Sequence, residues 1–303
     1  MRDIIFELNK ATNSRQQVDQ LLQRERNTSY WNDRARQHGP ALKATASTSW
    51  IRAAVLRRLR RLVTPNSAIL ELGCGNASSL LAPLSYDHVT YGIDLSFEML
   101  SLARRYHPTI GGLVRADVCC VPFQTGSFDI VYTSRCLINV LSREMQYQAL
   151  EEAFRVAKPN GTVVLIENFA EAVDAINDLK KRYPAGAAIE DSHNLLMSLQ
   201  GTVERCTEFG WKVISIHSNP LSSFVAHIIL GRFVHASTYD DRVRRPSRVR
   251  EVVKAALYPG FFLLTCLDDL FGSWLPPFGK DVMLILRKGD KTAGVSRNVR
   301  SCA

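Results

Sequence analysis

Glu71-Leu-Gly-Cys-Gly75 is the stretch of this 303-residue chain best equipped to hold a ligand. Ala68 to Leu72 is a short apolar run interrupted only by Glu71, which suits a strand buried on both faces of a parallel sheet. Gly73 and Gly75 follow. With no Cβ at either position, the backbone can turn sharply and lie against a bound molecule. A lone Gly-x-Gly also describes an ordinary tight turn, so its partners matter. Val89 to Leu95 is a second apolar run with Asp94 near its tip, 19 residues beyond Gly75. A carboxylate there is placed to hold a pair of ribose hydroxyls. Its plainer reading is a helix N-cap in Asp94-Leu-Ser96, a task that Ser96 can take instead. With a helix over Asn76 to Leu84, strand and glycine turn complete a nucleotide-binding crevice at the carboxyl end of the first strand.

The surrounding pattern supplies the elements that position these residues. Residues 1–60 read as a helical arm or lid. Within it, Trp31 is read as packing the arm on the core. Trp50 to Val63 is amphipathic, with Ile51, Val55, Leu59 and Leu62 on one face and a set of arginines, read as solvated, mostly elsewhere. From 68 to 168 apolar runs and helical segments alternate in βαβ fashion, within a core domain read over 61–218. Strands are expected at Ile110–Arg115, Phe128–Ser134, Thr162–Glu167 and Trp211–His217, with helices at Ser96–Tyr106, Ala170–Arg182 and His193–Phe209. Ser142 caps a helix whose buried stripe includes Met145, Ala149, Leu150, Ala153 and Phe154. Lys158-Pro-Asn-Gly161 stops that helix and turns into the fifth strand. A helical cap fills 219–279 (Leu221–Val234 and Glu251–Phe271), a last strand falls within 280–288, and 289–303 is a patternless tail.

Composition narrows the class. Apolar content of 46% and charged content of 22% are ordinary for a globular protein. A net charge of +9 is not, and it admits an anionic partner. Much of that charge lies in 52–61 and 242–250. Seven scattered cysteines without a Cys-x-x-Cys pair fit reduced thiols and a cytoplasmic location. No histidine spacing suggests a metal. Met1 to Lys10 lacks the apolar core of a signal peptide, and no apolar run reaches the roughly 18 residues of a spanning helix.

Four pieces in order carry a resemblance: Glu71-Leu-Gly-Cys-Gly75, Gly92-Ile-Asp-Leu-Ser96, Arg115-Ala-Asp-Val118 and Lys158-Pro-Asn-Gly161, with Phe128-Asp-Ile-Val-Tyr132 between the last two. Over about residues 65–168 the chain resembles the class I S-adenosylmethionine (SAM)-dependent methyltransferases. The resemblance implies an α/β, doubly wound, Rossmann-like seven-stranded sheet, mostly parallel with the last strand antiparallel. It also implies that Gly73, Cys74 and Gly75 lie against the amino acid part of SAM, with Glu71 supporting their loop. Asp94 would bind the ribose, Leu95 and Met99 would flank the adenine, and Asp117 and Val118 would meet its amino group and ring. Ser134 and Arg135 would line the site near the sulfur. A nicotinamide dehydrogenase is the rival, but Ser78 stands where its third glycine belongs.

A sulfonium methyl is already activated, so catalysis needs mainly an acceptor held in line and, for a hydroxyl, a general base. Glu167, His193 and His217 are the base candidates. Their plainer readings are a loop ligand, an N-terminal helix residue and a half-buried polar group. Thr133-Ser-Arg-Cys136 replaces the Asn/Asp-Pro-Pro-aromatic tetrad of enzymes that methylate amines of nucleic acid bases, so no nucleic acid partner is expected. A small or medium-sized acceptor methylated on O or N is favoured: a sugar, sugar nucleotide, glycan end or secondary metabolite. The alternatives are a membrane-associated enzyme with a lipid-linked acceptor, suggested by the apolar 221–234 and 255–271, and a non-catalytic methyltransferase-like subunit.

Overall fold

In the computed structural model the described residues are 2–40, 49–78, 88–183, 189, 194–229, 248–272, 278–279 and 281–288. They form a seven-stranded sheet of order β3-β2-β1-β4-β5-β7-β6. The strands are β1 (Ser67–Leu72), β2 (His88–Asp94), β3 (Gly112–Arg115), β4 (Phe128–Ser134), β5 (Ala157–Glu167), β6 (Trp211–His217) and β7 (Val282–Lys288). The first five run parallel, and β7 lies antiparallel between β5 and β6. The chain winds outward from β1 to β3 and then returns to lay β4 on the opposite side of β1. The carboxyl ends of β1 and β4 therefore flank a crevice at the switch in strand order, where ligands of open α/β sheets bind.

Helices cover both faces. On one, Ile51, Val55 and Leu59 of α2 (Ser49–Arg60) pack on Ile69, Ile130, Tyr132, Val164, Ile166 and Met283. Burying each of those α2 side chains contributes about 1.5–3 kcal/mol. On the other, Met145, Ala149, Leu150, Ala153 and Phe154 of α4 (Arg143–Val156) pack on Leu70, Leu72, Val131 and Val163. Leu100 and Ala103 of α3 (Phe97–Tyr106) meet Cys74 and Ala77. α6 (Leu199–Glu208) packs beside the edge strand β6, and α5 (Ala170–Arg182) follows β5 in the chain. Ser96, Ser142 and Ser198 cap α3, α4 and α6, each accepting a backbone N–H from the first turn. The long α1 (Arg2–His38) lays Trp31 and Ala35 against Met99 and Leu102.

Several expectations are corrected. Lys158 to Gly161 does not turn ahead of β5 but forms its opening as an irregular bulge, with Phe128 opposite Ala157 and Ile130 opposite Thr162. The bulge is held because Lys158 Nζ bonds both carboxylate oxygens of Asp129 at 2.9 and 2.8 Å. Gly161 suits that bulge, since a Cβ there would press on the Lys158 backbone at 3.0 Å. The arginine face of α2 is not simply solvated. Arg57 bonds Asp269 of α8 (Arg248–Phe271) at 2.7 Å, and the buried Arg58 reaches the same carboxylate and Asn219. Trp50 stacks on Phe261 with ring centroids 4.3 Å apart, closing the α2–α8 contact. Of the helix expected over Leu221–Val234 the described part is helical, α7 (Pro220–Phe224) continuing as a π turn at Val225–Ile229, and 230–234 lies outside the described residues. Among the described residues cysteines 74, 119, 136, 206 and 266 are free thiols. The helix expected from Asn76 begins instead as a turn through Ser78, and 79–87 lies outside the described residues. So do 242–247 of the basic link and the 289–303 tail.

Candidate functional site

The end of β1 builds the floor of the cleft. Gly73 has φ +70°, and a Cβ on it would sit 2.3 Å from Cys136 Sγ, so only glycine lets the β1 and β4 loops close on each other. Cys74 N–H donates to Ile93 O at 2.9 Å. Gly75 N–H donates to one oxygen of Asp94 and Ser96 N–H to the other, both at 2.8 Å. That pair of bonds fastens the glycine loop to the tip of β2 and fixes the carboxylate at the cleft. Burial raises the Asp94 carboxyl above its usual range, and the two backbone donors oppose that shift. Ser96, not Asp94, caps α3.

Glu71 lies fully buried beneath this loop and accepts from Tyr132 Oη at 3.0 Å. It supports the cleft without lining it. Leu95, Met99, Val118, Ser134 and Arg135 line the cleft with Gly73, Cys74, Gly75, Asp94 and Asp117. Asp117 accepts from Cys119 N–H at 2.8 Å through one oxygen, and Arg24 of α1 pairs with the other at 2.9 Å. Further polar contacts draw α1 over the opening. Asn27 donates to Asn139 O at 2.8 Å, Asn32 Oδ1 accepts from Ser96 Oγ at 2.7 Å, and Arg36 pairs with Glu98 at 3.0 Å.

The three base candidates are not brought together in the cleft. Glu167 is fully buried at the end of β5. Its carboxylate accepts the backbone N–H groups of Cys136 and Leu137 at 3.1 Å and of Ile138 at 3.4 Å. Burial pushes its carboxyl up to about 7 against the pull of Thr133 and those donors. It holds the turn after β4, as in its plainer reading. His217 pairs with Ser215 Oγ at 3.1 Å, and burial, then the Arg58 charge, lowers its pKa. Neither residue lines the cleft. His193 lies outside the described residues.

Residues that sequence reasoning missed also line it: Arg24, Asn27, Arg52 and Asp281. Arg52 carried a signal, since it projects from an otherwise apolar α2 face, and burial lowers its pKa with Glu71 opposing. Asp281 carried none; it simply precedes a strand. Among the described residues no group of three or more His, Cys, Asp or Glu could hold a metal.

The cleft fits SAM on its own terms. The glycine loop leaves room that any Cβ would fill, one carboxylate stands at the tip of β2, and a second stands beyond β3. Comparison with known proteins agrees. A methyltransferase domain model matches residues 70–165. An Encephalitozoon cuniculi protein whose name places it among the methyltransferases is 31% identical over 170 residues, covering 52% of this chain and 76% of that one. A demethylmenaquinone methyltransferase of Streptomyces avermitilis is 35% identical over 103 residues, 34% of this chain and 43% of its own length. The match thus spans less than half of that second relative. A SAM-dependent methyltransferase of Methanosarcina mazei superposes with a TM-score of 0.48 at 15% identity, over 77% of this chain and 97% of that one. Sheet order, the glycine turn pinned by Asp94, and the matched domain together make this chain a member of the class I SAM-dependent methyltransferases.

Proposed function

We propose that the enzyme moves the SAM methyl group to an O or N atom of a small or medium-sized acceptor enclosed beneath α1 and α2. The observation that carries this reading is the roof. Gln23, Arg24, Asn27 and Trp31 of α1, with Ile51, Arg52, Val55 and Leu56 of α2, line the same cleft as the glycine loop. A roof of that kind limits water and shapes an acceptor site beside the glycine loop. Bound SAM supplies an electrophilic methyl on a sulfonium. The chain's own part is to hold and align. Gly73, Cys74 and Gly75 would take the amino acid portion, with Glu71 beneath them. Asp94 would take the ribose, and Leu95, Met99, Asp117 and Val118 the adenine. Ser134 and Arg135 would stand at the methyl. Alignment alone can supply roughly 7–11 kcal/mol of the barrier.

Two experiments test the reading. In calorimetry with demethylated cofactor, S-adenosylhomocysteine, the wild type binds and Asp94→Ala weakens binding at least about tenfold, one hydrogen-bonded carboxylate's worth. Transfer of label from methyl-tritiated SAM is then measured over sugars, sugar nucleotides, hydroxyaromatics and small amines. The quinone-type acceptor in the name of the Streptomyces avermitilis relative belongs in that panel. Cofactor binding with no transfer to any of them removes the small-acceptor reading.

A second reading is favoured by α8, which exposes Leu263, Leu270 and Phe271 at 62%, 67% and 49% of their surface. An apolar stripe of that size on a basic chain suits a membrane-held acceptor. No helix among the described residues is long and apolar enough to cross a membrane, so such contact would be peripheral. Failure to sediment with anionic liposomes removes it.

A further inference from the structure

We propose that Asp281 is the group that takes the proton from the methyl acceptor, and that the acceptor presents an acidic hydroxyl on an aromatic ring or enol. The inference rests on the methyltransferase reading and adds the acceptor's chemistry to it. Asp281 stands immediately before β7 and lines the cleft with only 7% of its surface exposed. Its backbone N–H donates to Asn168 Oδ1 at 3.0 Å, which locks the residue in place at φ +61°. Its Oδ1 accepts no hydrogen bond. Arg135 faces it, also left-handed at φ +55°, with Nε 3.8 Å from that same oxygen.

An ion pair serving only stability would close to contact, as Arg57 does on Asp269 at 2.7 Å. The Arg135–Asp281 pair stays too far apart for a hydrogen bond. A buried carboxylate oxygen without a donor is costly, and two non-glycine residues held left-handed add strain of a kind that gathers at functional sites. A ligand X–H reaching Oδ1 removes the first cost.

That ligand is not the cofactor's ribose. Asp94 on β2 and Asp281 beside β7 are separated by four strand spacings in the order β2-β1-β4-β5-β7, or about 19 Å at roughly 4.8 Å each. A cofactor whose ribose sits on Asp94 cannot also bond Asp281 through that ribose. The far side of the cleft is apolar instead. Ile51, Val55 and Ile166 line it and belong to the same cluster as Met283, two residues beyond Asp281. Apolar walls ending in one carboxylate, with the Arg135 and Arg52 guanidinium groups also in the lining, suit a greasy body with a single acidic O–H. Glu167 and His217, the earlier candidates, do not line the cleft.

The step balances without a further reactant. The acceptor O–H gives its proton to Asp281 Oδ1, and the oxygen lone pair forms the new O–C bond to the methyl carbon. The C–S bond breaks, with its electron pair remaining on sulfur as the thioether of the demethylated cofactor. Asp281 then releases the proton to water at the cleft mouth. Arg135 stands where it stabilises negative charge growing on the acceptor oxygen.

The test uses the full chain, SAM and two probes: 1-naphthol, protonated at neutral pH, and 2,4-dinitro-1-naphthol, already ionised. Asp281→Asn keeps the shape and tolerates the left-handed backbone. It should lower kcat on 1-naphthol at least about 100-fold, the usual size of general-base catalysis, with S-adenosylhomocysteine Kd within about twofold of wild type. On the dinitro compound, which has no proton to lose, the loss should shrink to about fivefold or less. Equal kcat for the variant and wild type on 1-naphthol overturns the proposal, and so does an equal loss on both probes. A matching loss of cofactor affinity also overturns it. A wild type that methylates other small acceptors but neither naphthol sinks the inference while leaving the proposed function standing. One that binds cofactor and methylates nothing in the panel sinks both.

Discussion

Replacing Glu167 separates a loop-holding carboxylate from a catalytic one. Its oxygens accept three backbone N–H groups from residues 136–138, all at zero side-chain exposure for Glu167 itself. Glu167→Ala strands those donors in the interior, at about 1–3 kcal/mol for each buried group left unmatched. Partial relaxation and water entry reduce the sum, so the expected loss is on the order of 3–6 kcal/mol, a large share of a domain's stability. Glu167→Gln keeps one carbonyl oxygen for the loop and should lose only about 1–3 kcal/mol. Urea denaturation at neutral pH measures both. The carboxyl also predicts a pH signature. Burial raises its pKa from 4.5 to about 7 in the folded chain. A carboxyl raised on folding contributes stability that is fully present below 4.5 and is lost as pH rises through about 7. The wild type should therefore lose up to about 3 kcal/mol across that window relative to Glu167→Gln, which has nothing to titrate there. Glu167→Ala within about 1 kcal/mol of wild type, or parallel pH curves for wild type and Glu167→Gln, refutes the assignment.

Two other substitutions probe the frame of the site. Gly73→Ala places a methyl 2.3 Å from Cys136 Sγ at φ +70°. It should abolish measurable S-adenosylhomocysteine binding in calorimetry while leaving the far-ultraviolet circular dichroism of the sheet and helices unchanged. Arg58→Ala removes a buried guanidinium from Asp269, Asn219 and Ser218 O. Burial alone would raise the Asp269 carboxyl, but Arg57 and Arg58 hold it below its usual range. Breaking such a pair costs about 3–5 kcal/mol, and the same denaturation assay should show it. Arg58→Met together with Asp269→Leu should recover only part of that loss, because Arg57 then loses the same carboxylate.

The sequence by itself determined whatever is encoded within a few residues of itself or within one βαβ unit. The β1 run, the glycine turn and Asp94 are legible because a strand, a sharp turn and the next strand tip lie within 28 residues, Ser67 to Asp94. Ser96 and Ser142 announce their helices because capping is a contact over three positions, whereas the helix expected from His193 starts only at Leu199, behind Ser198. The apolar face of α2 shows in its period alone. Lys158-Pro-Asn-Gly161 defeated that kind of reading, because its conformation is set by Asp129 on the neighbouring strand and not by its own turn residues.

Only the tertiary structure decided what fills the cleft around that motif. Arg24 meets Asp117 because α1 folds across the carboxyl ends of the strands. The α2 arginines become buried partners only when α8, more than 200 residues further on, brings Asp269 to them. Glu167 left the list of bases because the β4 loop turns its backbone donors inward. Asp281 reaches the cleft because β7 inserts antiparallel between β5 and β6, which sets the start of a late strand beside the end of an early one. No local pattern records that meeting, since period and spacing describe neighbours along the chain while the cleft is built from neighbours across the sheet.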